Sequence, residues 1–141
     1  MIVLDTNVLS EPLRRDPDPR VVRWLDDQHP RTLYVTAMTL AELRAGVEVL
    51  PSGRRRDLLR ERLEEEVIPF FEDRVLPFDG RASRAWARLQ AHARTHGRPL
   101  PVMDSLIAAV VIARGYALAT RNTADFVATG VELINPWEVG V

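Results

Sequence analysis

These 141 residues contain no cysteine and no lysine. The first absence removes disulfides, thiolate metal sites and cysteine nucleophiles, which fits a reducing cytosol and leaves the chemistry to oxygen and nitrogen. The second makes all 19 basic residues arginines. P-loops, receiver-type phosphorylation sites and Schiff-base enzymes each place a lysine at the reacting centre, so these classes are disfavoured. Arginine offers planar forks that match phosphates bidentately and stack on bases, although a genome-wide composition bias yields the same substitution. Histidine is scarce. His92 and His96 have an i, i+4 spacing, but Arg94 and Arg98 flank them, and the pair reads as a solvated helix end. Long apolar runs are missing too: Met1–Leu4 is halted by Asp5, and Ser105–Ala113 is too short to cross a bilayer. A soluble, cytoplasmic protein without membrane contacts is expected, and a net charge of −1 argues against a general cationic coat for nucleic acid.

What the chain does contain is an alternation of short apolar segments and longer helical ones. Strands are predicted at Ile2–Leu4, Leu33–Val35, Val75–Pro77, Ala117–Thr120 and Val131–Ile134. Helices are predicted from Thr6 to Pro12, over Arg20–Asp27, from a Thr36 cap to Leu50, and over Arg54–Val67, Gly80–Thr95 and Val102–Arg114. Leu58, Leu59, Leu63 and Val67 are expected to form one apolar stripe, and Gly115 to end the last helix. This order implies an α/β sandwich with a mostly parallel central sheet, as one domain over residues 1–141. Ligands in such sheets bind beyond the carboxyl ends of the strands.

Four acids fall where that edge should be. Asp5 closes the first strand, Glu42 lies early in a helix, Asp104 opens the most apolar helix, and Asp125 follows the Ala117–Thr120 strand. Each has a plain structural explanation. Asp5 suits an N-cap, Asp104 a helix first turn, and Thr39-Leu40-Ala41-Glu42 a capping box. Their coincidence at one sheet edge weakens those explanations, because buried acids are costly unless paired or bound to metal. Hard cations such as Mg²⁺ prefer carboxylate oxygens and need one or two direct protein ligands. Without metal the acids should repel one another, so that one keeps its proton near neutral pH. Of the three tryptophans, Trp137 is singled out as the exception to a simple core role.

The segments Met1-Ile2-Val3-Leu4-Asp5-Thr6-Asn7, Thr39–Leu43, Asp104–Ala109 and Ala119–Phe126 resemble, in this order, the four acidic motifs of PIN-domain ribonucleases. The ending Val131–Trp137 is similar to that of VapC-type toxins of toxin–antitoxin pairs, especially the FitB-like branch. This resemblance covers essentially the whole chain. It implies a three-layer α/β/α sandwich, a homodimer, Mg²⁺- or Mn²⁺-dependent endoribonuclease activity, and inhibition by a cognate antitoxin protein through which alone operator DNA is contacted. By position it makes Asp5 and Asp104 the direct metal ligands, with Glu42 and Asp125 completing the catalytic acids and Thr6, Thr120 and Asn122 supporting the substrate site. Relatives differ in whether the fourth acid stands at the position of Asn122 or of Asp125, and the neutral Asn122 passes that role to Asp125. Single-stranded or looped RNA is the expected substrate, since base edges must be unpaired to be read. The alternative is a non-catalytic PIN-like module that binds nucleic acid or a protein partner.

Overall fold

The computed structural model describes residues Met1–Val139, so the last two residues of the expected domain lie outside the described residues. Strands β1 (Ile2–Leu4), β2 (Leu33–Thr36), β3 (Val75–Leu76), β4 (Ala117–Ala119) and β5 (Leu133–Ile134) form a wholly parallel sheet in the order β3-β2-β1-β4-β5. Val3 stands opposite Tyr34 on one side and Leu118 on the other. The chain winds outward from β1 in both directions, which puts the topological switch point between the C-terminal ends of β1 and β4.

Successive strand residues point to opposite faces, and each face carries its own core. Leu4 and Ala119 face a cluster with Val8, Leu9, Trp24, Leu40 and Phe71. Helices α1 (Thr6–Ser10), α2 (Pro19–Asp27), α3 (Ala37–Glu48), α4 (Arg54–Arg62) and α5 (Ile68–Phe71) supply that layer. Val3 and Leu118 face the opposite cluster, built with α6 (Gly80–His96), α7 (Val102–Arg114) and α8 (Thr123–Phe126). The result is the α/β/α sandwich.

Local signals held where local chemistry decides. Thr36 caps α3 by accepting the amide of Thr39 at 3.1 Å, and Gly115 ends α7 at a φ of 69°, where glycine avoids the Cβ penalty. The capping box at Thr39–Glu42 does not form. Thr39 already lies inside α3, and Glu42 turns to α1 instead. The helix expected over Arg54–Val67 is interrupted by a π-helical segment at Leu63–Val67, which redirects its face. Consequently Leu63 is buried while Leu58 stays 52% exposed, so the four-residue stripe is not a single buried seam.

Arg74 was not singled out by any sequence pattern, yet it is 4% exposed. Its guanidinium donates to the carbonyls of Pro30, Leu33 and Phe70 and lies over the rings of Phe70 and Phe71. It ties the end of α5 to the start of β2.

Candidate active site

Asp5 is the anchor of the switch point. It ends β1 with its backbone amide donating to the Ala119 carbonyl of β4 at 2.9 Å. Its side chain is the N-cap of α1, accepting from the Thr6 amide at 2.9 Å, so the cap explanation holds. The second carboxylate oxygen accepts from the hydroxyl of the buried Thr120 at 2.7 Å and from Asn7 Nδ2 at 3.5 Å. Capping and clustering therefore coexist in one residue, only 3% exposed. Burial pushes its carboxyl above the usual range, the Thr120 and Thr6 hydrogen bonds oppose that, and the charge of Glu42 adds to it.

The other acids are brought in from separate elements. Glu42, half-buried on α3, accepts from Thr6 Oγ1 at 2.6 Å, so Thr6 bridges two carboxylates with its amide and its hydroxyl. Asp104 stands in the first turn of α7, half-buried and without a hydrogen bond from the described residues to hold it ionised. Its carboxyl is pushed up to about 6, first by burial and then by the negative charges of Asp5, Glu42 and Asp125. Three acids thus act on the titration of the fourth, although all come from distant segments. Asp125 does not follow β4 directly. It sits exposed in the first turn of α8, its amide held by the Asn122 carbonyl at 3.0 Å. Asn122 is exposed as well, and its amide donates to Thr120 Oγ1 at 3.1 Å. Asp125, not Asn122, is the fourth charge that Asp104 feels.

The donor set consists of carboxylate and hydroxyl oxygens, which is the chemistry of a hard divalent cation. Among the described residues no three such side chains close on one point tightly enough to cage an ion unaided. An ion that keeps most of its water and takes one or two direct protein ligands fits these residues, as Mg²⁺ does.

Two neighbours escaped the sequence reading as functional residues. Asn7 links Asp5 to the loop after β4, since its Oδ1 accepts from the Arg121 amide at 3.2 Å. The Arg121 guanidinium lies over the Trp137 ring at 5.1 Å. Trp137 is 5% exposed, so it belongs to the core while its face also seats the Arg121 cation. The signal available in the sequence was an arginine directly after the strand-ending Thr120.

Comparison with known proteins places this arrangement. The PIN domain model matches residues 2–131. This chain belongs to the PIN-domain family. It is 50% identical over 138 residues to the VapC ribonuclease Y4jK of Sinorhizobium fredii, covering 98% of this chain and 99% of that protein. It is 44% identical over 137 residues to Toxin FitB of Neisseria gonorrhoeae, covering 97% and 99%. A chain of the structure of FitAB bound to an IR36 DNA fragment superposes with a TM-score of 0.95 at 42% identity, over 100% of this chain and 99% of that one. Within the PIN-domain family the chain therefore groups with the VapC and FitB toxins, and no helix among its described residues is long and apolar enough to cross a membrane.

Proposed function

We propose that this PIN-domain protein is a Mg²⁺- or Mn²⁺-dependent endoribonuclease and the cytoplasmic toxin of a toxin–antitoxin pair. The observation that carries this reading is the convergence of four acids from four elements on one sheet edge, where the Asp104 carboxyl is pushed up to about 6 first by burial and then by the charges of Asp5, Glu42 and Asp125. A merely structural acid is stabilised by its neighbours, whereas this one is destabilised by them until a cation arrives. Kinship with a VapC ribonuclease and with Toxin FitB supplies the substrate class and the biological role.

Asp5 and Asp104 are the residues assigned to hold the ion, with Glu42 and Asp125 enlarging the negative field. When bound, such an ion supplies charge neutralisation at a phosphodiester and a more acidic water for hydrolysis. The chain's own groups prepare that site. Thr120 and Thr6 orient Asp5 through both carboxylate oxygens, Thr6 fixes Glu42, and Asn7 and Asn122 hold the loop after β4 in register with α1. Asp104 must release its proton before it can serve as a ligand, so metal uptake is expected to weaken as pH falls through about 6.

The likeness to FitAB bound to a DNA fragment supports a cognate antitoxin partner through which DNA is contacted; inhibition by that antitoxin and a homodimer of this chain complete the reading. The half-exposed Leu58 on α4 is consistent with further burial in an assembly. The deciding experiment is incubation of purified chain with mixed single-stranded and looped RNA, with Mg²⁺, with Mn²⁺ and with chelator. Cleavage in both metal arms that stops with chelator and in Asp104→Asn is the expected result. Uncut RNA in all arms, with binding retained, would establish the non-catalytic module instead. Light scattering at micromolar concentration tests the dimer.

A further inference from the structure

A cleft of about 460 Å³ opens beside the acids, between the C-terminal end of α6, the loop 97–101, the start of α7 and α8. It shares one residue with the site, since Asp125 lies on its wall, and it reaches Ser105, the chain neighbour of Asp104. We infer that this cleft receives one unpaired RNA nucleotide next to the scissile phosphate, and so sets the base preference of cleavage. The inference rests on the ribonuclease reading.

Size selects the occupant first. The volume falls within the range of small-ligand pockets, enough for a base and its sugar and too small for a duplex. The wall chemistry points the same way. Leu89, Ala93 and Leu100 give an apolar floor for a base face, and Gln90 offers an amide that both donates and accepts toward base edges. His92 and His96 stack at 4.0 Å with 16° between planes, and His96 Nδ1 is fixed 2.9 Å from the His92 carbonyl and 2.8 Å from Thr95 Oγ1. This makes a flat, held aromatic edge on which a base can stack. Arg98 stands on the same rim and forms no ion pair among the described residues, leaving its fork available to a phosphate. The walls are also preformed. Trp86 Nε1 donates to Ser105 Oγ at 3.0 Å and locks α6 to α7, while Pro99 and Pro101 restrict the loop between them.

The test uses the full chain and a fluorescein-labelled single-stranded RNA oligonucleotide of mixed sequence. Ala93→Trp fills the cleft from a partly exposed position in the last turn of α6, and Gln90→Ala and Arg98→Ala, which lose no hydrogen bond or ion pair among the described residues, remove the edge and phosphate contacts. With metal chelated, anisotropy should show about tenfold weaker RNA binding for Ala93→Trp, and for Arg98→Ala a salt dependence shallower by about one counterion. With Mg²⁺, Ala93→Trp should raise KM more than it lowers kcat. Sequencing of cut ends should show the base preference flattening at one position beside the cut in Ala93→Trp and Gln90→Ala. Unchanged affinity and unchanged preference in all three folded variants would overturn the inference, as would a change in oligomeric mass with RNA binding intact, which would make the cleft a protein interface. If the unmodified chain neither binds nor cuts RNA, the functional reading itself fails and this inference falls with it.

Discussion

Arg74 and Asp104 are both charges placed in the protein fabric, and the fold treats them in opposite ways. Arg74 is surrendered to its surroundings: three backbone carbonyls accept from it, two phenylalanine rings flank it, and only Nε is left without a partner. Asp104 receives no hydrogen bond from the described residues that favours its charge, and burial first, then the charges of three carboxylates, raise its carboxyl to about 6. Buried charge that serves the fold is neutralised within it. The half-buried Asp104 is left without such neighbours, and in the function we propose a cation from outside completes it.

That contrast is broken most forcefully by exchanging the two roles. On the proposed function Asp104→Asn should abolish metal-dependent RNA cleavage, with kcat reduced at least about 1,000-fold, because one of the two residues assigned to the ion is lost. Its melting temperature without metal should stay level or rise, since one repelling charge is gone. Arg74→Ala should do the reverse. It strands the carbonyls of Pro30, Leu33 and Phe70, at roughly 1 kcal/mol each, so about 3 kcal/mol of stability is lost, while the catalytic parameters of the remaining folded fraction stay near those of the parent. Thermal unfolding with and without metal, set beside initial cleavage rates, checks both. A clear fall in apo stability for Asp104→Asn would mean that the two charges serve the fold alike.

The comparison also explains what the sequence disclosed. Asp5, the Thr36 cap and Gly115 were legible because each is decided within a few residues, by a strand end, a hydroxyl or a left-handed turn. The four acids were legible because an acid at the edge of an apolar segment is anomalous wherever it occurs. Arg74 was not, because its partners lie four to forty-four residues away and are backbone carbonyls, which carry no side-chain signature. The same holds for Arg121 on Trp137 and for the bond from Thr6 to Glu42 that displaced the capping box. The π-helical turn at Leu63–Val67 arises from packing after the helix has formed, and helical periodicity alone does not reveal it.

A smaller effect separates the acids from one another. Asp125 is exposed and acts on Asp104 through its charge, without a hydrogen bond to Asp5 or Asp104. Asp125→Asn should lower cleavage about 10- to 100-fold, within the range for outer partners of a metal site, and higher Mg²⁺ or Mn²⁺ should restore part of it. Asp5→Asn and Asp104→Asn should stay inactive at every metal concentration. Asn122→Asp adds an acid at the neighbouring position and should be tolerated. If Asn122→Ala proved as damaging as Asp104→Asn while Asp125→Asn was silent, Asn122 would hold the fourth position.

The smallest expected effect is the sharpest measure of how far Asp104 is left unsatisfied. An ordinary aspartate has a pKa near 3.8, and in the folded chain Asp104 sits at about 6. Between these values the folded protein holds a proton that the unfolded chain has released, so stability without metal falls as pH rises from about 4 to 6 and levels off above. Below about 4 both states are protonated and the penalty vanishes. Asp104→Asn should therefore match the parent at pH 4 and exceed it at pH 7, by a margin of only a few degrees because the side chain is half-exposed and solvent screens it. Some slope should survive in the variant, since the Asp5 carboxyl is also raised by burial. Saturating Mg²⁺ should reverse the trend in the parent, with stability climbing through the same window as ionised Asp104 gains its ligand role. Melting curves at half-unit pH steps, with chelator and with metal, decide it. Parallel curves for parent and variant from pH 4 to 7 would show that Asp104 is satisfied after all, and that its neighbours serve the fold as those of Arg74 do.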